Sequence, residues 1–550
     1  MGGNVLPGDG KQAHVSDENK VMPLSTDPLH SGVGEKDMAT RRRDGRDRRS
    51  LVVRKSTGVD LADEEFLSTD APLPDAVWIA SLVLGVFGIF TPNPTLTLGS
   101  FLVVPVIFKL LWRKGEAPLL LFCCLSQWLQ IATPVFLANV YGHMLEAHSG
   151  IPLQAKATLL GLLGVVVFAF GVRLALRGCD CSIGPKLERE VTAFPTYQVF
   201  LAWVAASLMS VLVMFISRVV PGLFQIIQPI AELKTGCVFV LGYAVFRQRR
   251  GYSVLFLAVV VEFLAGTVGF FGGFRTILNV LLLLFFTLTR RWNLRVLVVI
   301  TTLVGFMLLA GAFWNATKPD YRAFLNQGSG QQEVVVPIDE RLKYLATKLE
   351  TFGVDDFFQG LETTLRRVGY TDFFAFTLNN VPEAVPYQRG QLWLQAVTHV
   401  LMPRMFFPDK AEVNDSYRTR QFSGEEVAGP DEGPSIGLGY MTESYVDFGP
   451  YLMFVPVFLL ALVLGWAYRY FVLRPGVGSW GYVLAFAMPF VMPHMFETSN
   501  IKIVGRIVAC AIIFVPLDYY FGRHISAWLR GERRGPRRPR GRQPRHAGSR

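Results

Sequence analysis

Apolar residues run along this chain in blocks of about 20, the length that takes a helix across a bilayer. Only short polar stretches separate them until residue 316. By the hydropathy rule the blocks predict about twelve spans. Their limits are 76–91, 96–112, 117–140, 156–176, 195–217, 226–246, 252–271, 275–290, 296–315, 450–472, 478–496 and 500–521. The connecting segments alternate in charge. One set carries Arg113-Lys114, Arg173, Arg177, Lys186, Arg189, Arg247, Arg249, Arg250, Arg290, Arg291, Arg295, Arg469 and Arg474, whereas 91–95 and 141–154 hold no Lys or Arg. An excess of Lys and Arg marks the cytoplasmic side. An even number of spans with both termini inside follows, and 316–449 falls outside. Apolar residues at helical spacing in 342–349, 357–376 and 391–401 predict helices within that loop. The acidic, Gly- and Pro-containing stretch 410–438 predicts a mobile segment. The expected fold is an all-α polytopic membrane protein with one large, partly helical extracytoplasmic loop.

Composition agrees with this pattern. Of 550 residues, 51% are apolar and 18% charged, a balance rare in soluble proteins of this length. The net charge of +11 does not point to nucleic acid, because its excess lies in the two tails and in short loops between apolar blocks. Residues 1–73 and 523–550 are polar, basic and without apolar periodicity, so both are expected to be disordered cytoplasmic tails. They either touch anionic headgroups or simply orient and solubilise the chain. Between them lie a bundle of about nine spans in 74–315, the loop 316–449, and about three more spans in 450–522. Nothing before Pro74 resembles a signal peptide, so the first apolar block directs insertion. None of the six cysteines falls in the long loop, and Cys179-Asp180-Cys181 reads as a reduced surface pair rather than a metal site.

Candidate chemistry gathers where the loop returns to the membrane. The stretch Gly439–Gly449 brings Glu443, Asp447, Tyr440 and Tyr445 to a water–lipid boundary between two glycines. Arg275 follows Gly272 and Gly273 at an outer hinge, where it either grips phosphate or snorkels from a helix end. Lys502 and Arg506 lie four apart on one helix face, with His494 and Glu497 just before them. That group either lines an outward pocket or forms a structural ion cluster. Glu262, mid-span, needs a partner that the local sequence does not name. The loop adds Arg366, Arg367, Arg389, His399, Arg404, Lys410, Arg418 and Arg420, a supply of cations suited to an anionic substrate. Its aromatics, Trp393 and Tyr370 to Phe376, either stack on sugars or pack in a core. No His-Glu-x-x-His, Gly-x-Ser-x-Gly or Walker sequence occurs, so zinc protease, serine hydrolase and ATP-driven chemistry are set aside.

Taken in order, these residues resemble the Wzy-type polymerases of O-antigen and exopolysaccharide repeat units. The resemblance rests on Gly272–Leu282, on Tyr387–Lys410 with Gly390 and Met402-Pro403-Arg404, and on Gly439–Gly449 with Glu443, Tyr445, Phe448 and Gly449. It covers roughly 75–520 and leaves out the tails. It implies glycosyl transfer between undecaprenyl-diphosphate-linked oligosaccharides on the outer face of the bacterial inner membrane. Arg275 and Arg404 would then stabilise the leaving diphosphate, and Glu443 or His399 would take the acceptor proton. Arg389, Lys410, Tyr445, Lys502 and Arg506 would bind substrate. A flippase, a chain-length regulator and membrane lipid are the partners it implies. The sequence departs from the family at Pro408-Asp409-Lys410, which leaves the role of Lys410 open. Membrane glycosyltransferases that use a metal often hold it with acids in their first outer loop. Here 91–95 has none, so no cofactor and a metal-independent reaction are expected. A ligase of finished glycans, a lipid-linked oligosaccharide flippase and a non-catalytic scaffold are the alternatives.

Overall fold

The computed structural model describes residues 73–532, other than 114–115, 180–182, 221–222, 271–272, 290–293, 330–333, 403–406, 408–413, 428–434, 475–477 and 492–494. All regular structure among the described residues is helical. Among the described residues eight helices are long and apolar enough to cross a membrane: Pro94–Leu111, Leu119–Val140, Gln154–Ala175, Thr196–Ser217, Ile226–Gln248, Leu294–Leu325, Phe454–Leu473 and Asn500–Leu529. Four shorter apolar helices, Asp75–Gly88, Tyr252–Thr267, Arg275–Leu288 and Ser479–Met488, fall where further spans are expected. This is the make-up of a multi-pass membrane protein.

Small residues let these helices approach closely, as lipid-embedded packing requires. Phe454–Tyr468 packs along Gln154–Ala175, and a Cβ on Gly465 would sit 2.5 Å from that of Ala175. The mid-span acid finds its partners in space. Lys234 Nζ lies 2.7 Å from Glu262 Oε2, and Trp203 Nε1 donates to Oε1 at 3.0 Å.

The long loop is mostly helical and is stitched to one end of the bundle, here termed the loop end. The apolar helix Leu294–Leu325 continues about ten residues beyond the expected span limit, since 1.5 Å per residue makes 32 residues far longer than a bilayer core. Helix Val354–Val368 packs against it, with Asn315 Nδ2 donating to Thr364 Oγ1 at 2.9 Å. The helix expected over 357–376 is broken in two at 369–371, where Tyr370 N donates to Gln130 O at 3.0 Å. Asp372–Asn380 resumes beyond, held by Gln154 Nε2 on Asp372 Oδ1 at 2.6 Å. Gln391–Leu401 appears with its expected limits.

Two expectations fail. Within 410–438, read as mobile, Asp415–Ser423 forms a helix capped by Asn414, whose side chain accepts from Ser416 N at 2.8 Å. Its Asp415, Ser416, Thr419 and Phe422 are buried, so tertiary packing overrides the polar composition. The C-terminal tail, read as disordered from 523, begins instead with helix Gly522–Leu529, anchored by buried Leu529. Residues 1–72 and 533–550 lie outside the described residues.

Candidate functional site

The stretch expected to be a boundary loop is a helix, Tyr440–Leu452, with a kink at Gly449 (φ 72°, ψ −173°). Its start is fixed by Gly439, at φ 90°, where a Cβ would fall 2.3 Å from Phe496 O. Only glycine allows that approach. It lets Tyr440 N donate to Thr498 O at 2.8 Å, tying the helix start to the segment before Asn500–Pro516.

Glu443, in the first turn, is therefore delivered into the interior at 1% exposure. Its Oε2 accepts from Asn500 N at 2.6 Å, and its Oε1 lies 3.4 Å from Arg418 Nη1. Arg418, also buried, donates further to Asn500 Oδ1 at 3.3 Å and to Gln395 Oε1 at 3.0 Å. Burial pushes the Glu443 carboxyl up to about 7, against the lowering influence of Arg418 and the Asn500 N–H. Around this pair, Thr442 Oγ1, Ser499 Oγ, Asn500 Nδ2 and Asp415 Oδ1 are buried and make no hydrogen bond among the described residues. Buried polar atoms are nearly always satisfied, by protein or by ordered water.

Further charges surround it. Lys502 Nζ lies 2.5 Å from Asp415 Oδ2, and Asp415 is within electrostatic reach of Glu443. Arg506, one turn on, stands in the fields of Glu232 and Asp415. Glu497 accepts from Gln130 Nε2 at 2.9 Å, and burial raises its carboxyl against the pull of Arg275 and Lys502. Arg275, the first residue of Arg275–Leu288, is accessible to solvent and connects to the cluster through Glu497.

The structure thus places Glu443, Lys502 and Arg506 around Asp415, with Arg275 beside Glu497, whereas the Tyr445 hydroxyl is engaged elsewhere. Tyr445 is buried and faces away from Glu443's partners, its hydroxyl donating to Val381 O at 2.8 Å. Arg389 adopts φ 53° with an exposed side chain, its N–H donating to Asp447 O at 2.9 Å. His399 lies one turn past Gln395 on Gln391–Leu401. Arg404, Lys410 and His494 lie outside the described residues. Asp447 is a cap, accepting from Leu392 N and Trp393 N at 3.0 Å each, so it sets the start of the Gln391–Leu401 helix. Sequence reading counted Arg418 only among the loop cations and missed Gln395, Asp415 and Asn500 as site residues. No local motif marks them; only the i, i+3 spacing of Asp415 and Arg418 in a capped helix offered a signal. Among the described residues no group of three or more His, Cys, Asp or Glu could hold a metal ion.

Beside the polar cluster runs an apolar groove of about 630 Å³. Its lining includes Leu452, Val455, Leu459 and Val463 from one helix, Val504 and Ile507 from another, and Trp393 and Phe448. Trp393 Nε1 donates to Ser444 Oγ at 3.1 Å, which ties the groove to the residue next to Glu443.

Residues 136–470 fit the family model described as a domain of unknown function, DUF8712. This range holds Glu443, Arg418, Gln395 and Arg275, while Asn500, Lys502 and Arg506 lie beyond it. No curated protein and no solved structure matches. With the family model covering more than half its length, the chain belongs to the DUF8712 family.

Proposed function

We propose that this protein is a membrane glycosyltransferase that joins undecaprenyl-diphosphate-linked oligosaccharides on the extracytoplasmic face of the bacterial inner membrane. All twelve apolar helices span the membrane in this reading, both termini are cytoplasmic, and the loop end faces outward. The observation that carries it is the apolar groove beside the Glu443–Arg418 cluster. Such a groove suits an isoprenoid tail, whose headgroup would then reach the polar cluster.

The acceptor hydroxyl would meet the unsatisfied Asn500 Nδ2 and lose its proton to Glu443. Its oxygen forms a new bond to the anomeric carbon of the donor sugar as the bond to the carrier diphosphate breaks. The electron pair leaves on the diphosphate, whose growing charge needs cations. Arg275 and Arg404 fill that role, with Arg389, Lys410, Lys502 and Arg506 supporting substrate and His399 the alternative base. Arg418 positions Glu443. A flippase and a chain-length regulator are the partners such a reaction needs, and no cofactor enters it.

The test is gel analysis of surface glycan in a deletion strain carrying wild type, Glu443→Gln or Arg275→Ala. Single repeat units in the deletion and in both variants, with normal membrane insertion, are expected. Wild-type ladders from both variants would refute the assignments, and full-length polymer stranded on its carrier would make the protein a ligase.

A further inference from the structure

Four cations from three elements meet at the loop end. Helix Leu294–Leu325 puts Asn315, Lys318 and Arg322 on one face. Arg322 Nε donates to Phe270 O at 3.2 Å, and its guanidinium lies 4.5 Å from the Phe270 ring centre. The Phe274 ring meets Trp314 at 5.9 Å, which brings Arg275 to the same helix. From the third element, Arg367 Nη1 donates to Asn315 Oδ1 at 3.3 Å. Lys318 sits among them, half-buried, in the combined field of Arg322, Arg367 and Arg275.

Among the described residues no carboxylate lies within ion-pairing distance of Arg275, Lys318 or Arg367. The acids nearby in sequence are committed elsewhere: Asp320 to Lys348 at 2.8 Å and Glu362 to Arg366 at 3.0 Å. Glu497 is the one acid whose field reaches Arg275, and it is hydrogen-bonded to Gln130. Like charges held this way repel and are relieved by an anion.

We propose that Arg275, Lys318, Arg322 and Arg367 form a seat for a phosphate-bearing lipid headgroup. Three guanidinium forks suit phosphate oxygens better than a single carboxylate. Arg275 opens a helix of 14 residues, whose free N–H groups add to the positive field. A lipid tail has a place beside the seat, since the same long helix exposes Leu308 and Leu309 below it. The seat extends the phosphate-gripping role given to Arg275 and rests on the transferase reading only for which lipid is bound.

The test measures binding to the purified full-length protein in neutral nanodiscs, with three probes: inorganic pyrophosphate, farnesyl diphosphate and phosphatidylglycerol. At least one should bind, and Lys318→Gln with Arg367→Gln should weaken it by at least about a hundredfold, as expected for two lost charge-assisted contacts. Lys348→Gln, which removes an already paired cation, should leave it unchanged. Binding of the two diphosphates alone assigns an isoprenoid carrier. Phosphatidylglycerol alone assigns a structural lipid, keeps the seat and removes its support for the transferase. If wild type binds none of the three, or the double variant binds as well as wild type, the seat is refuted. Should the double variant fail to fold, Lys318→Arg and Arg367→Lys, which keep the charge, must retain binding and 0.5 M sulfate must abolish it.

Discussion

At the residue scale, Glu443 is the pivot, and its protonation sets two expectations. As a base it works only as carboxylate, so with its carboxyl raised to about 7 the transfer rate should climb with pH and level off above that value. Arg418 is the largest influence holding the carboxyl down. Arg418→Gln should therefore move the rise to higher pH, with Arg418→Lys restoring part of the shift. A merely structural arginine would reduce protein yield and leave the midpoint in place, and a pH–rate profile on reconstituted protein separates the two. The same shift enters stability with opposite sense. The folded carboxyl keeps its proton longer than the unfolded one, so its stabilising effect is full below 4.5 and is lost as pH rises through about 7. Gly439 carries a purely steric prediction. Gly439→Ala places a Cβ against Phe496 O at φ 90° and should cost about 1–3 kcal/mol for the backbone alone. A lowered thermal midpoint in detergent would show it; an unchanged one would mean that the segment around Phe496 moves aside freely.

At the element scale, helix Gln391–Leu401 joins the groove to the polar cluster, since it carries both Trp393 and Gln395. Asp447 holds its first turn through two N–H groups. Asp447→Ala should destabilise that helix by about 1–2 kcal/mol and speed hydrogen exchange across 392–400. Exchange confined to Tyr440–Leu452 instead would show that the cap serves its own helix. This helix was legible from the spacing of Leu392, Ala396 and Val400, because an amphipathic period survives whatever it packs on. Asp415–Ser423 was not legible. Its buried face is built from Asp415, Ser416, Thr419 and Arg418, and buried polar residues pair with partners far along the chain. Arg418 reads as one loop cation among many until Glu443, Gln395 and Asn500 surround it. Lys234 and Glu262, 28 residues apart, were hidden for the same reason.

At the scale of the whole molecule, the question is whether the short apolar helices cross. Tyr252–Thr267 and Arg275–Leu288 rise about 24 and 21 Å, against about 30 Å for a bilayer core. By length alone they could form a shallow re-entrant pair, and since the two cross together or not at all, counting charges in the flanking loops does not decide. The turn between them is held by the long helix and its neighbour. Tyr321 OH donates to Val268 O at 3.2 Å, and Arg341 Nη1 donates to the same oxygen at 3.2 Å. The turn therefore stands level with the far end of Leu294–Leu325, and Tyr252 packs beside Phe246. In a full crossing, non-helical residues 268–270 and 273–274 would add to the length of the helices, and Arg275 would keep its charge at the water boundary. Cysteine placed at Gly273, Tyr141 and Glu425 should react with an impermeant maleimide on intact cells, and cysteine at Arg249 and Glu532 only after lysis. Protection of Gly273→Cys alongside Arg249→Cys would make the pair re-entrant. Arg275 would then face the cytoplasm, and neither the transferase site nor the phosphate seat could include it.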